Sequence, residues 1–340
     1  MISFMNDYSE GAHPQILELM LRSNLEQNTG YGEDLHSNRA KQYIKIELQR
    51  NDVDIHFIPG GTQTNLLVIS SFLRPYQSVI AADTGHVNVH ETGAIEATGH
   101  KVVTVPHQEG KLTPDGIRKA LDNHSGEHMV QPKMVYLSDT TELGTIYTKA
   151  ELIAIRKLCI EEELLLFLDG ARLASALTCN SNDLTLKDIA ELTDVFYIGG
   201  TKNGALLGEA LVICKQELKE DFRYMIKQRG AMMAKGFVVG MQFEALFENG
   251  LFYELGAHAN QMAVRLADAF RKKSYDFFAP VCSNQLFPIL KNEDILSLEK
   301  EFVFSIQEMI SQTHSAVRFV TSWATTRENV DKLIDFIQKM

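Results

Sequence analysis

Cysteine is scarce. The 340 residues hold four, Cys159, Cys179, Cys214 and Cys282, and none forms a CxxC pair. That excludes a disulfide-built secreted scaffold. Cys159 and Cys214 stand in apolar stretches and read as core residues. Long apolar runs are missing too: none approaches the roughly 18 residues that span a bilayer. Met1 to Glu10 has no basic region followed by an apolar stretch, so it does not read as a signal peptide, and a cytoplasmic location is expected. There is no lysine–arginine cluster. With 33 basic against 44 acidic residues the formal charge is −11, which argues against nucleic acid or an anionic membrane as the main partner. A small anion stays compatible, because a local site can be positive on an acidic protein. Repeats, low-complexity segments and Ser/Pro-rich linkers are absent.

What is present is ordinary in bulk and patterned in detail. Hydrophobic residues make up 45% and charged residues 23%, values typical of folded proteins. The length allows one large or two moderate domains. Helical spacing is predicted over Pro14 to Leu25, about His36 to Gln49, and Thr62 to Leu73. From about residue 50 to 214, short apolar strands alternate with helices. The strands are Ile55 to Ile58, Ser78 to Ala82, Lys101 to Val105, Met134 to Leu137, Leu164 to Leu168, Val195 to Ile198 and Ala210 to Cys214. Helices between them include Asn88 to Thr98, Thr113 to Leu121 and Lys149 to Glu162. This alternation predicts an α/β fold with a mostly parallel sheet covered on both faces. Long helices follow over Gln216 to Gln228, Gly236 to Asn249 and Leu251 to Lys273. A β/α tail ends in a helix from about Arg327 to Lys339. The expected division is a large domain with the N-terminal segment over 1–250 and a small α+β domain over 251–340.

Four segments can carry chemistry. In Phe167-Leu168-Asp169-Gly170-Ala171-Arg172 an apolar strand ends on an acid, and the C-terminal ends of parallel strands line the ligand crevice. A plain helix N-cap is the alternative for Asp169. In Gly199-Gly200-Thr201-Lys202-Asn203-Gly204 a lysine sits among glycines and small polar residues after a strand. A desolvated lysine has a lowered pKa and can act as an amine nucleophile. The Walker pattern GxxxxGK[ST] is not met. Pro59-Gly60-Gly61-Thr62-Gln63 joins a strand to a helix, where free N–H groups and the dipole favour an anion. His86 and His90 lie four apart beside Glu91, but the zinc motif HExxH puts the glutamate after the first histidine, and no metal is expected. Together the segments suit pyridoxal phosphate. That cofactor needs a lysine for its Schiff base, an acid at the ring nitrogen, an anion site for its phosphate and a cover for its ring. Lys202, Asp169, the Gly61 turn and His86 fill those roles.

On these residues the sequence resembles the low-specificity L-threonine aldolases, in the β-eliminating lyase group of fold-type I pyridoxal phosphate enzymes. The likeness runs nearly the whole chain. It implies an aspartate aminotransferase-like large domain with a mostly parallel seven-stranded sheet, plus the small C-terminal domain. It implies pyridoxal 5'-phosphate held as a covalent Schiff base at Lys202, with its phosphate on the backbone amides of Gly61, Thr62 and Gln63. His86 would stack on the ring, Asp169 would face its nitrogen, and Lys235 is the candidate phosphate contact from a partner subunit. Gly30-Tyr31-Gly32-Glu33-Asp34 looks like the family's early loop and brings Tyr31 to the substrate. Arg172 and Arg318 would hold the substrate carboxylate, beside Asn6, which stands where many members have serine. His128 is similar in position to a second active-site histidine, and Glu142 to Tyr147 looks like the family's strand-end loop. Thr201 and Asn203 flank Lys202 where many members have serine and glycine. The implied reaction is retro-aldol Cα–Cβ cleavage of L-threonine, L-allo-threonine and other β-hydroxy-α-amino acids to glycine and an aldehyde, with His86 or His128 as the base, directly or through water. Another fold-type I lyase or transaminase is the alternative. The resemblance also implies a homo-oligomer, a dimer of dimers. The apolar stretches Phe237 to Leu246 and Leu251 to Tyr253 would suit its interface.

Overall fold

A computed structural model describes all 340 residues. The chain opens with β1 (Ile2–Ser3), α1 (Pro14–Arg22) and α2 (Leu35–Leu48). The alternating region follows: β2 (Asp54–Ile58), α3 (Gly61–Phe72), β3 (Gln77–Ala82), α4 (His86–Val89), β4 (Val102–Val105), α5 (Pro114–Asp122) and β5 (Gln131–Ser138). It continues through α6 (Lys149–Glu161), β6 (Leu165–Asp169), α7 (Leu173–Thr178), α8 (Leu186–Leu192), β7 (Val195–Gly199) and β8 (Glu209–Ile213). Then come α9 (Phe222–Gln228), α10 (Phe237–Glu248) and α11 (Leu251–Lys272). The tail holds β9 (Gln285–Leu286), β10 (Ile289–Lys291), α12 (Asn292–Leu298), β11 (Phe302–Val303), β12 (Ser305–Met309), β13 (His314–Val320) and α13 (Arg327–Lys339).

Seven strands form the main sheet in the order β2-β8-β7-β6-β5-β3-β4. Ladders among β4, β3, β5, β6 and β7 are parallel, and β8 runs against both its neighbours. The C-terminal ends of β2, β3, β5, β6 and β7 therefore share one edge. The first residue of the reversed β8, Glu209, lands there too, opposite Gly199 and Ile58. Every residue of β3, β7 and β8 is buried, as strands covered on both faces must be. Local signals place the helices between them. On α6, for example, Thr148 and Glu151 form a capping box.

Three expectations change. The helix expected over Asn88 to Thr98 shrinks to α4 and a short 3-10 turn, because Thr92 and Gly93 both take positive φ and break it. The one over Gln216 to Gln228 splits at Asp221, whose φ is 58°. The assignment of the N-terminal segment to the large domain fails for its first residues. β1 pairs with β11, and Phe4 is fully buried against Phe302 and Phe319 in the C-terminal core. Helix α11 spans both regions: Leu251 and Leu255 join the large core, and Met262 to Phe270 the small one. Within the two apolar stretches expected to suit an interface, Phe237, Val238 and Tyr253 stay half-buried. Val239, Phe243, Leu246, Leu251 and Phe252 are buried in the chain's own core. No helix is long and apolar enough to cross a membrane.

Helix α10 lies along α2, and the two are tied by His36. Its Nδ1 bonds Glu244 at 2.5 Å and its Nε2 bonds Glu26 at 2.8 Å. Burial pulls the imidazole down, but the two carboxylates outweigh it and raise its pKa above 6.5. A raised folded-state pKa stabilises fully below the unfolded value and is lost as pH rises through the folded one. His36→Gln is therefore expected to destabilise the protein most below pH 6.5, with the gap to wild type narrowing as pH rises. Urea unfolding across pH checks this; a gap that widens with pH contradicts it.

Candidate active site

The shared strand edge gathers most of the expected groups. Asp169, the last residue of β6, is buried and has four donors. Tyr136 Oη reaches its Oδ2 at 2.5 Å, Asn65 Nδ2 the same oxygen at 3.1 Å, and the Ala171 amide its Oδ1 at 3.0 Å; Tyr197 Oη also donates to Oδ1. Two of the donors come from the neighbouring strands β5 and β7 and one from α3. Gly170 permits the turn that follows, since a Cβ there would collide with the carbonyl of Tyr197. Beside Asp169, Asn65 also donates to Glu91 at 2.7 Å, and Glu91 holds His86 Nδ1 at 2.8 Å. Burial lowers the His86 pKa, but Glu91, with Glu142 and Asp169, raises it on balance. His90 is exposed, and no group of three or more His, Cys, Asp or Glu side chains is placed to hold a metal.

Lys202 follows β7 in a turn fixed from behind. Glu209 accepts from the Gly200 amide and the Thr201 hydroxyl, each at 2.9 Å, and Asn203 donates to the Phe252 carbonyl at 3.0 Å. Burial brings the Glu209 carboxyl up to about 7, against the pull of those two donors and of Lys202. The Lys202 amine itself has no hydrogen bond and no ion pair. Burial first, and the Arg172 charge second, lower its pKa. The N-terminus of α3 is equally bare. Gly60 offers no side-chain cap, so the amides of Gly61, Thr62 and Gln63 have no helical acceptor.

The two arginines differ. Arg172 is buried and forms a bidentate pair with Asp7, Nε at 2.7 Å and Nη2 at 3.0 Å, and Asn284 donates to the same carboxylate at 2.9 Å. Arg318 has only the Gln285 amide oxygen, at 3.0 and 2.6 Å, and no carboxylate partner. Burial and the Arg172 charge lower its pKa, and Asp7, Glu142 and Tyr8 act against them. Asn6 caps a turn, accepting from the Tyr8 amide and the Ser9 hydroxyl at 2.9 Å each. His128 does not join the site within its own chain. It is exposed and precedes β5, at the opposite end from the shared edge. At about 3.3 Å per residue of strand, that is on the order of 20 Å or more away. Tyr31 and Lys235 are exposed on two loops joined by the Tyr31 amide to the Ala234 carbonyl at 3.0 Å, and neither hydrogen-bonds to Lys202, Asp169 or Arg318 of its own chain.

The residues fit pyridoxal phosphate. An unpartnered lysine amine, an uncapped helix N-terminus and a guanidinium without a counter-ion are the groups such a cofactor and an amino acid would satisfy. Buried oxygens without partners, Asn65 Oδ1 and Glu91 Oε2, lie in the same network. Fold and site together define a fold-type I pyridoxal phosphate enzyme. Residues 5–293 match the family model described as beta-eliminating lyase, and the chain belongs to that family. It is 32% identical over 336 residues to a low specificity L-threonine aldolase of Pseudomonas sp. (strain NCIMB 10558), covering 97% of this chain and 95% of that one. A solved structure of Leishmania major threonine aldolase superimposes with a TM-score of 0.98 at 52% identity, covering 100% of this chain and 99% of the other. Thermus thermophilus aspartate aminotransferase shares the fold, with a TM-score of 0.72 at 14% identity over 100% of this chain and 91% of that one.

Removing Asp7 leaves Arg172 buried and unpaired, which typically costs about 3–5 kcal/mol. Burial pushes the Asp7 carboxyl up, but Arg172 and Lys202 hold it at about 2, below its ordinary 3.8. A depressed carboxyl contributes stability above the unfolded value that is lost as pH falls through the folded one. Asp7→Asn is expected to unfold at markedly lower urea at pH 7 and to converge on wild type as pH falls from about 4 towards 2. A constant gap over that range would contradict the pairing.

Proposed function

We propose that this lyase cleaves L-threonine and L-allo-threonine, and other β-hydroxy-α-amino acids, to glycine and an aldehyde. The observation that carries the reading is the Lys202 amine, desolvated and unpartnered beside Asp169. The names of the relatives support threonine as the substrate and do not favour a transaminase.

Pyridoxal phosphate, when bound, supplies the electron sink that Cα–Cβ cleavage requires. This chain's residues do the rest. Lys202 would hold the cofactor covalently, and its lowered pKa keeps more of the amine neutral and reactive. Asp169, fixed by Tyr136, Tyr197 and Asn65, presents a carboxylate to the ring nitrogen. Gly61, Thr62 and Gln63 offer amides to the phosphate. His86, its Nδ1 anchored on Glu91, would cover the ring. Arg318 binds the substrate carboxylate by charge-assisted hydrogen bonds. Arg172 is already neutralised by Asp7, so it contributes its remaining N–H groups and rigidity more than charge. Such a clamp would hold the substrate in one orientation at Cα, which is how one bond is selected over the others. Tyr8 is felt electrostatically by both arginines, and Asn6, next to Asp7 in the chain, would border the same end. Tyr31 and Lys235, exposed and unengaged with their own Lys202, suit a role in a partner's site, which supports a homo-oligomer, a dimer of dimers in the resembling family. A cytoplasmic location belongs to the same reading.

Purified protein given pyridoxal phosphate and threonine is expected to release glycine and acetaldehyde, and Lys202→Ala to release none. Ammonia with a keto acid would point instead to the related lyases or transaminases. Arg318→Gln is expected to raise the KM for threonine about 10- to 100-fold, the worth of a charged hydrogen bond, with cofactor binding retained. An unchanged KM would remove Arg318 from the substrate site.

A further inference from the structure

Cleavage of a β-hydroxy amino acid needs a group to take the proton of the β-hydroxyl. Within its own chain His128 lies at the far end of β5. His86 has its Nδ1 held by Glu91 and stands as the ring cover in the reading above. Glu142 is left. It stands four residues past the end of β5, is half-buried, and makes no hydrogen bond or ion pair in the chain. Its charge is felt at His86, Lys202, Arg172 and Arg318 alike, so it stands within electrostatic reach of all four. It also lines a cavity of about 10 Å³ with Thr84, Gly85, Tyr136 and Ser138. That volume is about what a single water needs, provided polar partners surround it. The wall of the cavity is part polar and part apolar: Thr84 Oγ1 is buried without a partner, Ser138 Oγ donates at 3.3 Å to Tyr136 Oη, which donates to Asp169, and Ala82, Gly110, Leu137 and Tyr147 complete the lining. Gly85, on the cavity wall, directly precedes His86.

We propose that Glu142 is the proton acceptor for the substrate's β-hydroxyl, reached through one water seated in this cavity. The inference rests on the threonine-cleaving reading above. The hydroxyl proton passes to the water as one of the water's protons passes to the Glu142 carboxylate. The O–H electron pair becomes the second bond of the new carbonyl. The Cα–Cβ bond breaks, its pair stays with Cα, and the aldehyde leaves. Cα then takes up a proton to give glycine, and the proton on Glu142 returns to solvent, so no proton is gained or lost and nothing is oxidised. Thr84 and Ser138 hold the water, and Arg318 at the carboxylate end keeps the hydroxyl directed to it.

Glycine has no β-hydroxyl, and this gives the test. In Glu142→Gln, kcat for threonine cleavage is expected to fall at least 100-fold, the usual scale of a lost general base. Glycine affinity, by difference absorbance, and exchange of the glycine Cα–H with deuterated water are expected to stay within about threefold of wild type. Glu142→Asp, which keeps the charge, is expected to recover part of the lost rate. Cleavage by Glu142→Gln within threefold of wild type would overturn the proposal, as would a parallel collapse of glycine binding and exchange, which marks a general electrostatic or structural role. Wild-type protein that exchanges glycine but leaves threonine intact would overturn the threonine-cleaving reading itself, and this inference with it.

Discussion

Asp169 ends a strand whose last residues are buried, and its carboxylate has to be satisfied there by the protein itself. Two tyrosines, an asparagine and a backbone amide do so, drawn from β5, β7, α3 and the turn after β6. This requirement sets the register of the site. Tyr136 and Tyr197 have to occupy positions on the flanking strands that face Asp169. Asn65 has to lie one turn into α3, and that leaves the start of α3 uncapped at the same edge. Through Asn65 the network runs on to Glu91 and His86. One buried acid thereby positions the candidate anion site, the ring cover and the strand ends between them.

A second constraint is charge. A chain of net charge −11 encloses Lys202, Arg172 and Arg318 near one another, and like charges in a desolvated site repel strongly. The chain answers this unevenly. Asp7 pairs with Arg172 and, with Glu142 and Asp169, also acts on Lys202, while Arg318 is left with a neutral amide. The uncompensated positive charge is thus concentrated where an amino acid's carboxylate would bind. Asp7 is carried on the N-terminal segment that pairs with the small C-terminal sheet, and Asn284 and Gln285 come from that region as well. Closing the cationic end of the site is a task shared by both ends of the chain.

Much of this was legible in the sequence. The alternating apolar strands gave the sheet, and Asp169, Lys202 and the Gly61 turn all emerge at the edge where strand order puts them. What escaped had no local signal. Tyr136 and Tyr197 look like ordinary members of apolar strands, and only the fold turns their hydroxyls onto one acid. Asp7 and Arg172 are 165 residues apart, so no spacing announces their pair. Glu209 did leave a trace, an acid opening the apolar strand Glu209–Ile213 seven residues after Lys202. His128 was named from the resemblance alone; it precedes β5, so within its own chain it stands at the end away from the site. The helix breaks at Thr92 and Asp221 depend on positive φ at residues other than glycine, which composition does not reveal.

The Lys202 amine is the group proposed to hold the cofactor. The direct measurement is to load the protein with pyridoxal phosphate, reduce it with borohydride, digest it and map the modified peptide by mass spectrometry. The account predicts a single stoichiometric label on Lys202. A label on another lysine, or none while the protein still cleaves threonine, would contradict it.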